Sequence, residues 1–402
     1  MRIPRRGLFL AVVCMAALAT VVPSSPAIAL PPPGPGVPVW AADWMKNGSG
    51  NTNYDPGRTL ALRQAAEFDI VIAHEGTYDN YVSAMKAVNP NLRLFVYVQG
   101  MFTPEGGLPY SWYARNGSGG KIKSKTFGTY LMNPKSSGWR DDRLAECRHS
   151  LSVSHYDGCF LDSLGPTGVN GEAVTSMPID PSTKRVYGRR AWLAATETVA
   201  SRVQNAMSPT PTLMNGLVDG PGYFNSSGPT EALLNGATGG MSEAFIRSAS
   251  SGVTKFKTEM GWKNDVDMLA DTGKRSTGNI AFAITKVWCK ATSSQVNSWH
   301  RYALGSFLLG YRPGHAYFQF RSDHDFTKTT AYENVVLGSP TSSYFRVNGL
   351  YVRTFQYGKV IVNPTTSSHS VSLSRRYVDL SGIFRSNSIS LGAHSAQILK
   401  NA

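Results

Sequence analysis

Apolar residues along this chain gather in short runs, and the segments between those runs keep a different rhythm. Eight runs read as strands: Val37 to Met45, Phe68 to Glu75, Arg93 to Met101, Tyr156 to Leu164, Thr212 to Val218, Gly239 to Ile246, Val266 to Asp271 and His315 to Phe320. Between them lie stretches at helical spacing, namely Thr59 to Glu67, Tyr81 to Val88, Arg140 to Ser150 and Arg185 to Met207. The last is the clearest, with Trp192, Ala195, Val199 and Val203 recurring every three or four residues. Ser293 to Leu309 reads as a helix before the eighth strand. Strands alternating with helices argue for a parallel α/β architecture, and eight strands predict a (β/α)8 TIM barrel, here over residues 39–340. Ile280 to Cys289 is apolar enough to be a strand itself, which would shift the count.

After about Thr330 the texture changes. Short alternating runs such as Leu350 to Phe355 and Lys359 to Val362 are split by Gly, Asn, Ser and Pro, so residues 344–402 predict a small C-terminal antiparallel β domain. At the other end, Arg2, Arg5 and Arg6 precede an apolar stretch from Gly7 to Val22, and Ala27-Ile28-Ala29 is a small-x-small cleavage pattern. Residues 1–29 are therefore expected to be a signal peptide, residues 30–38 an extended Pro-rich leader, and the mature protein secreted. No later run has the length and purity of a membrane span.

The mature chain of about 370 residues can bury a large core, which it needs, because Cys147, Cys159 and Cys289 allow at most one bridge. Cys159 lies in a predicted buried strand, where a plain thiol is the expected reading. The net charge of +14 falls to +11 once the three leader arginines are removed. Lys and Arg are scattered through the sequence, which predicts a solvated basic surface, and no nucleic-acid-binding motif is present. No Gly-rich phosphate loop follows an early strand, no paired histidines or Cys-x-x-Cys exist, and neither a cofactor nor a metal is expected.

Candidate chemistry lies at the strand ends. In a barrel of parallel strands the carboxyl ends converge on one mouth. Asp162 closes an apolar strand there, while Glu243 sits among Met241, Ser242, Ala244 and Phe245. Two carboxylates at one mouth are what glycosidic bond cleavage needs, one ionised to attack and one protonated to assist the leaving oxygen. Asp162 fits the nucleophile. Glu243 fits the acid, since an apolar setting would raise its pKa. Asp271, closing the next predicted strand, is the rival acid or a hydroxyl ligand, whereas Asp157 precedes its strand and belongs to the opposite, stability face. Asp43, His74, Glu75, Gln99 and Asn215 lie at other strand ends and predict sugar contacts or rim hydrogen bonds, and Trp44 is an aromatic candidate for sugar contact beside Asp43. Tyr110, Trp112 and Tyr130 fall in loops expected over the mouth, where flat rings could stack on sugars, and Thr103 to Lys125 is a long loop after strand three.

Several phrases carry a resemblance. Phe68-Asp69-Ile70-Val71-Ile72-Ala73-His74, Asn89-Pro90-Asn91-Leu92-Arg93-Leu94-Phe95-Val96-Tyr97, Tyr156-Asp157-Gly158-Cys159-Phe160-Leu161-Asp162 and Gly358-Lys359-Val360-Ile361-Val362-Asn363-Pro364 resemble hypothetical glycosyl hydrolase family fifteen. That resemblance implies a barrel, a small β domain and a glycosidase reaction on a poly- or oligosaccharide. Similarity to the α-galactosidase and α-amylase kinds of barrel implies a nucleophilic Asp after strand four, hence Asp162, and a retaining outcome. The chain is expected to act as a monomer. The competing expectation is a barrel that binds carbohydrate or cell wall without turnover.

Overall fold

A computed structural model describes residues 36–43, 55–275, 278–323 and 329–402. The expected signal peptide, most of the Pro-rich leader and Trp44 lie outside them. Eight parallel strands form one sheet in sequence order. They are β1 (Trp40–Ala42), β2 (Ile70–Ala73), β3 (Arg93–Gln99), β4 (Gly158–Asp162), β5 (Thr212–Asn215), β6 (Gly239–Ser242), β7 (Ile280–Lys286) and β8 (Ala316–Arg321). A parallel bridge from Val39 to Phe318 links the two ends, giving a nearly closed TIM barrel. Among the described residues six helices of a turn and a half or more pack outside: α1 (Gly57–Glu67), α2 (Val82–Val88), α3 (Ser137–Ser154), α4 (Arg189–Met207), α5 (Glu259–Thr272) and α6 (Ser293–Gly310). Only short helical pieces, Gly220–Tyr223 and Thr230–Asn235, connect β5 to β6.

The strands are apolar on both faces because both are covered. Trp40, Ile72, Phe95, Phe160, Leu213, Met241, Phe282, Ile284 and Tyr317 fill the barrel interior. Val71, Val96, Leu161, Met214, Ala283 and Phe318 face the helices. Successive side chains therefore alternate in and out with the period of two that a strand imposes.

Two sequence expectations are corrected here. Val266 to Asp271 is helix, not strand: it is the second half of α5, whose buried Trp262, Val266 and Leu269 recur at i, i+4 and i+7, and whose Thr258 cap accepts from the Gly261 amide at 3.2 Å. The run is too short by itself to show that period. The seventh strand is instead the apolar run beginning at Ile280, so the count of eight survives. Cys159 is not a plain thiol but forms a disulfide with Cys147, tying β4 to α3 across a Cα separation of 5.9 Å; Cys289 is free. Asp157 does sit at the stability end, accepting from Lys86 at 2.6 Å, Arg93 at 3.3 Å and the Leu94 amide at 2.7 Å. Trp139, Trp192 and Trp299 are buried helix residues.

The chain ends in β-structure. Six antiparallel strands run in the order β9 (Phe345–Val347), β10 (Leu350–Phe355), β11 (Gly358–Asn363), β16 (Ser395–Asn401), β13 (Tyr377–Asp379), β14 (Phe384–Arg385). β12 (His369–Ser372) and β15 (Ser388–Leu391) pair separately. The sheet is joined to the barrel by specific contacts. Gly305 of α6 lies so close that an added Cβ would stand 2.7 Å from the Ala396 Cβ. Arg353 is buried and its Nη1 donates to the carbonyl oxygens of Leu308, Leu309 and Tyr311 at 2.9, 2.8 and 2.6 Å, capping the last turn of α6. Replacing Arg353 with Met strands those buried acceptors and should cost about 2–3 kcal/mol in a urea unfolding titration. Arg346→Ala, which breaks the exposed pair with Glu259, should cost less than about 1 kcal/mol. Equal losses would show that Arg353 does not clamp the two parts.

Candidate active site

The inward alternation of each strand continues one step past the apolar interior, and that step supplies the site. After Phe160 comes Asp162, after Tyr97 comes Gln99, after Leu213 comes Asn215, after Met241 comes Glu243, and after Ile284 comes Lys286. Strand register then brings them level, with Gln99 opposite Asp162 and Asn215 opposite Met241.

Asp162 is held by four donors. Its Oδ2 accepts from the Tyr97 hydroxyl at 2.6 Å and from Gln99 Nε2 at 3.3 Å; its Oδ1 accepts from Asn215 Nδ2 at 2.8 Å and from the Ser163 amide at 2.8 Å. The same Asn215 Nδ2 donates to Glu243 Oε2 at 3.2 Å. One nitrogen thus reaches both acids, and the two bonds together cap the Oδ1–Oε2 separation at about 6 Å. The far oxygen of Glu243 accepts from Lys286 Nζ at 2.5 Å, on a lysine that is itself buried. Lys286 also stands over the Trp288 ring at 4.6 Å.

These contacts set the charges. Burial, and after it the charge of the nearby Glu243 carboxylate, raises the Asp162 carboxyl above its ordinary value, although the Tyr97 and Asn215 hydrogen bonds work against the rise. Burial would raise Glu243 too, but the Lys286 ammonium and the hydrogen bonds from Lys286 and Asn215 hold it below the usual carboxylate value. The apolar neighbours of Glu243 predict the opposite sign. A cation in contact outweighs the loss of solvent, and about two-fifths of the Glu243 side chain remains exposed. Tyr97 is raised well above the ordinary tyrosine value by burial and by the Asp162 charge, so it stays a donor.

The remaining candidates divide. Gln99 and Asn215 belong to the site. His74 reaches it indirectly, its ring edge-on to Tyr97 at 4.8 Å, and burial lowers its pKa. Glu75 turns away and accepts from Ser150 of α3 at 2.6 Å. Asp43 is buried after β1, on the opposite parity to Trp40 and Ala42. Asp271 is not at the mouth: it lies in the last turn of α5, its carboxylate taken by the Tyr223 hydroxyl at 2.8 Å, so it is no rival acid. Tyr97 and Lys286 are missing from the sequence reading. Counting inward positions along β3 finds Tyr97, whereas Lys286 emerges only once β7 is placed at Ile280. Among the described residues no group of three or more His, Cys, Asp or Glu is placed to hold a metal ion, and no helix is long and apolar enough to cross a membrane.

The family model described as hypothetical glycosyl hydrolase family 15 matches residues 108–359. The chain belongs to that family. It is accordingly a glycoside hydrolase, and Asp162, Asn215, Glu243 and Lys286 all fall within the matched span. No curated protein matches the sequence. Among solved structures, type I pullulanase from Bacillus subtilis, complexed with maltose, is 11% identical with a TM-score of 0.52, over 94% of this chain and 72% of that one. The glycoside hydrolase domain of PelA from Pseudomonas aeruginosa is 14% identical with a TM-score of 0.42, over 65% and 90%. An α-amylase from Geobacillus thermoleovorans, complexed with acarbose, is 10% identical with a TM-score of 0.48, over 92% and 98%. At such identities the pullulanase likeness bears on the barrel fold alone.

The Lys286 contact has a signed consequence. In the intact site the ammonium opposes burial; in Lys286→Met burial acts without that opposition, so Glu243 should take its proton at higher pH. A carboxyl-carbon NMR titration, with the resonance assigned by Glu243→Gln, should place the midpoint higher than in the wild type. An unmoved or lowered midpoint would remove Lys286 as the cause.

Proposed function

We propose that this enzyme hydrolyses a poly- or oligosaccharide with retention, through a covalent glycosyl-enzyme intermediate on Asp162, with Glu243 as acid and then base. The observation that carries the reading is the single Asn215 amide bonded to both carboxylates. The cap of about 6 Å that it puts on the facing oxygen pair supports the roughly 5–5.5 Å carboxyl separation of retention over the roughly 6.5–9.5 Å that inversion needs to admit a water. Four donors fix Asp162 against the anomeric carbon, as a nucleophile requires. Glu243, with about two-fifths of its side chain exposed, is open to a leaving-group oxygen.

In the first step an Asp162 oxygen bonds to the anomeric carbon while the glycosidic bond breaks and Glu243 gives its proton to the departing oxygen. In the second, Glu243 takes a proton from water, whose oxygen displaces Asp162. Glu243 must therefore be protonated when substrate is bound. Substrate hydroxyls that draw the Lys286 ammonium away would leave burial to raise it. The charges at rest favour a second assignment, with Glu243 the nucleophile and Asp162 the acid, because burial raises Asp162 and Lys286 lowers Glu243.

Reducing-sugar release from a panel of neutral and acidic polysaccharides tests the activity. Asp162→Asn and Glu243→Gln should each lower kcat by about 10³-fold or more, with folding intact. Azide added to the Gly variants then assigns the roles. If Asp162 is the nucleophile, its variant yields the glycosyl azide of inverted configuration and the Glu243 variant the retained one; the reverse pattern exchanges the roles. Inverted sugar from the wild type would overturn retention itself.

We also propose that the protein is exported and that residues 1–29 are removed. The basic and apolar leader supports this, as does the Cys147–Cys159 disulfide, since such bonds persist in oxidising compartments. Intact mass of protein recovered from culture medium should correspond to a chain starting at Leu30. Retention of the leader, or protein found only inside cells, would count against export.

A further inference from the structure

Two of the loops that rise from the mouth are knitted into one surface. Residues 100–136 follow β3 and residues 163–188 follow β4, the strands that present Gln99 and Asp162. The Lys125 amide donates to the Ala173 carbonyl at 2.9 Å, the Thr175 amide to Lys123 at 2.9 Å, and the Ile179 amide to Arg115 at 2.8 Å. Lys125 Nζ reaches across to the Gly171 carbonyl at 2.7 Å. Along the sequence Lys and Arg look scattered, but folding gathers seven of them onto this surface against three Asp and Glu. One acid, the buried Asp180, is used by Lys135 at 2.8 Å. Among the described residues Arg115, Lys121, Lys123, Lys125, Lys184 and Arg185 have no carboxylate partner.

Tyrosine rings hold several of these cations in place. Arg115 lies over Tyr110 at 4.7 Å, Lys121 over Tyr113 at 3.7 Å and Lys123 over Tyr130 at 4.5 Å. Lys121 is anchored further by the Gly106 carbonyl at 2.7 Å. Tyr110 is half exposed and Phe127 is 76% exposed, both available to stack on a ligand. A surface depression lined by Thr183, Arg185, Val186 and Tyr187 continues the same face. Positive charge in excess of the acids on the same loops, interleaved with exposed rings, complements a polymer that carries both anionic groups and apolar faces.

We propose that this platform binds an acidic glycan, a polysaccharide bearing carboxylate or phosphate groups, and delivers it to the carboxylate pair. The proposal rests on the glycosidase reading and names the substrate class of the same site. An acidic glycan is favoured over single-stranded nucleic acid because both loops spring from strands that end at the sugar-cleaving pair.

The test is binding by full-length Asp162→Asn, which separates affinity from turnover, to polygalacturonate, teichoic acid, dextran and single-stranded DNA. At about 50 mM salt the acidic glycan should bind at least about tenfold tighter than dextran, and about 300 mM salt should remove most of that margin. Reversing three exposed charges (Lys123→Glu, Lys184→Glu, Arg185→Glu) should weaken it at least about tenfold with an unchanged melting temperature. Dextran bound equally well, DNA bound tightest, or a charge-reversed variant with full affinity would each overturn the proposal. Acidic glycan bound but left uncut by the wild type would uphold the platform and count against the glycosidase reading for that polymer. Cleavage of dextran without acidic-glycan binding would do the reverse.

Discussion

Each barrel strand must place apolar side chains on both its faces, because helices cover one and seven other strands enclose the other. The inward set alternates with a period of two and cannot drift without turning every side chain over. Where the interior ends, the next inward position opens on solvent, and a polar residue there lies at the mouth whatever its identity. Asp162, Gln99, Asn215, Glu243 and Lys286 all occupy that position. The site is thus a continuation of the core, held at the precision of the core packing beneath it. Phe160 and Phe282 are as much a part of its geometry as the acids themselves.

Within that frame the electrostatics follow from distance. Two carboxylates joined through one Asn215 amide repel each other, and the structure treats them unequally. Lys286, at 2.5 Å, attracts Glu243 more strongly than an acid farther off can repel it, since Coulomb energy falls with separation. Asp162 has only neutral donors, whose hydrogen bonds offset part of the effect of burial and of its neighbour's charge but do not cancel it. Two acids of similar intrinsic strength are thereby pushed to opposite sides of their ordinary values, which is how one site holds an acid and an anion together. Substrate entering between Lys286 and Glu243 would change that balance, so the protonation pattern at rest and during turnover need not coincide.

The parts outside the mouth serve to hold it. The Cys147–Cys159 bridge fixes α3 to the strand that carries Asp162, and Trp139 of the same helix donates to the Gly100 carbonyl at 2.9 Å, just after Gln99. The C-terminal sheet packs on α5 and α6 through Gly305, Trp262 with Tyr351, and the three carbonyls gathered by Arg353. α6 lies between β7 and β8 in the chain, so the sheet steadies the side of the barrel that supplies Lys286.

The sequence by itself determined the architecture and four of the six residues that meet at the site. Runs such as Arg93 to Gln99 and Gly158 to Asp162 are long and apolar enough to be read as barrel strands, and their last residues follow from the period of two. Asp162, Gln99, Asn215 and Glu243 were legible for that reason. Tertiary structure decided what depends on residues distant in the chain. Val266 to Leu269 is as apolar as a strand, and only the packing of Trp262 and Leu269 in one stripe makes it helix, which removes Asp271 from the mouth and puts Lys286 there. The sign of the Glu243 shift was likewise beyond local reading, because its neighbours in sequence are apolar whereas its neighbour in space, 43 residues on, is an ammonium. The basic platform joins two loops that no window of sequence spans. Local pattern encodes which face a residue takes, and only the closed barrel encodes which charges meet across it.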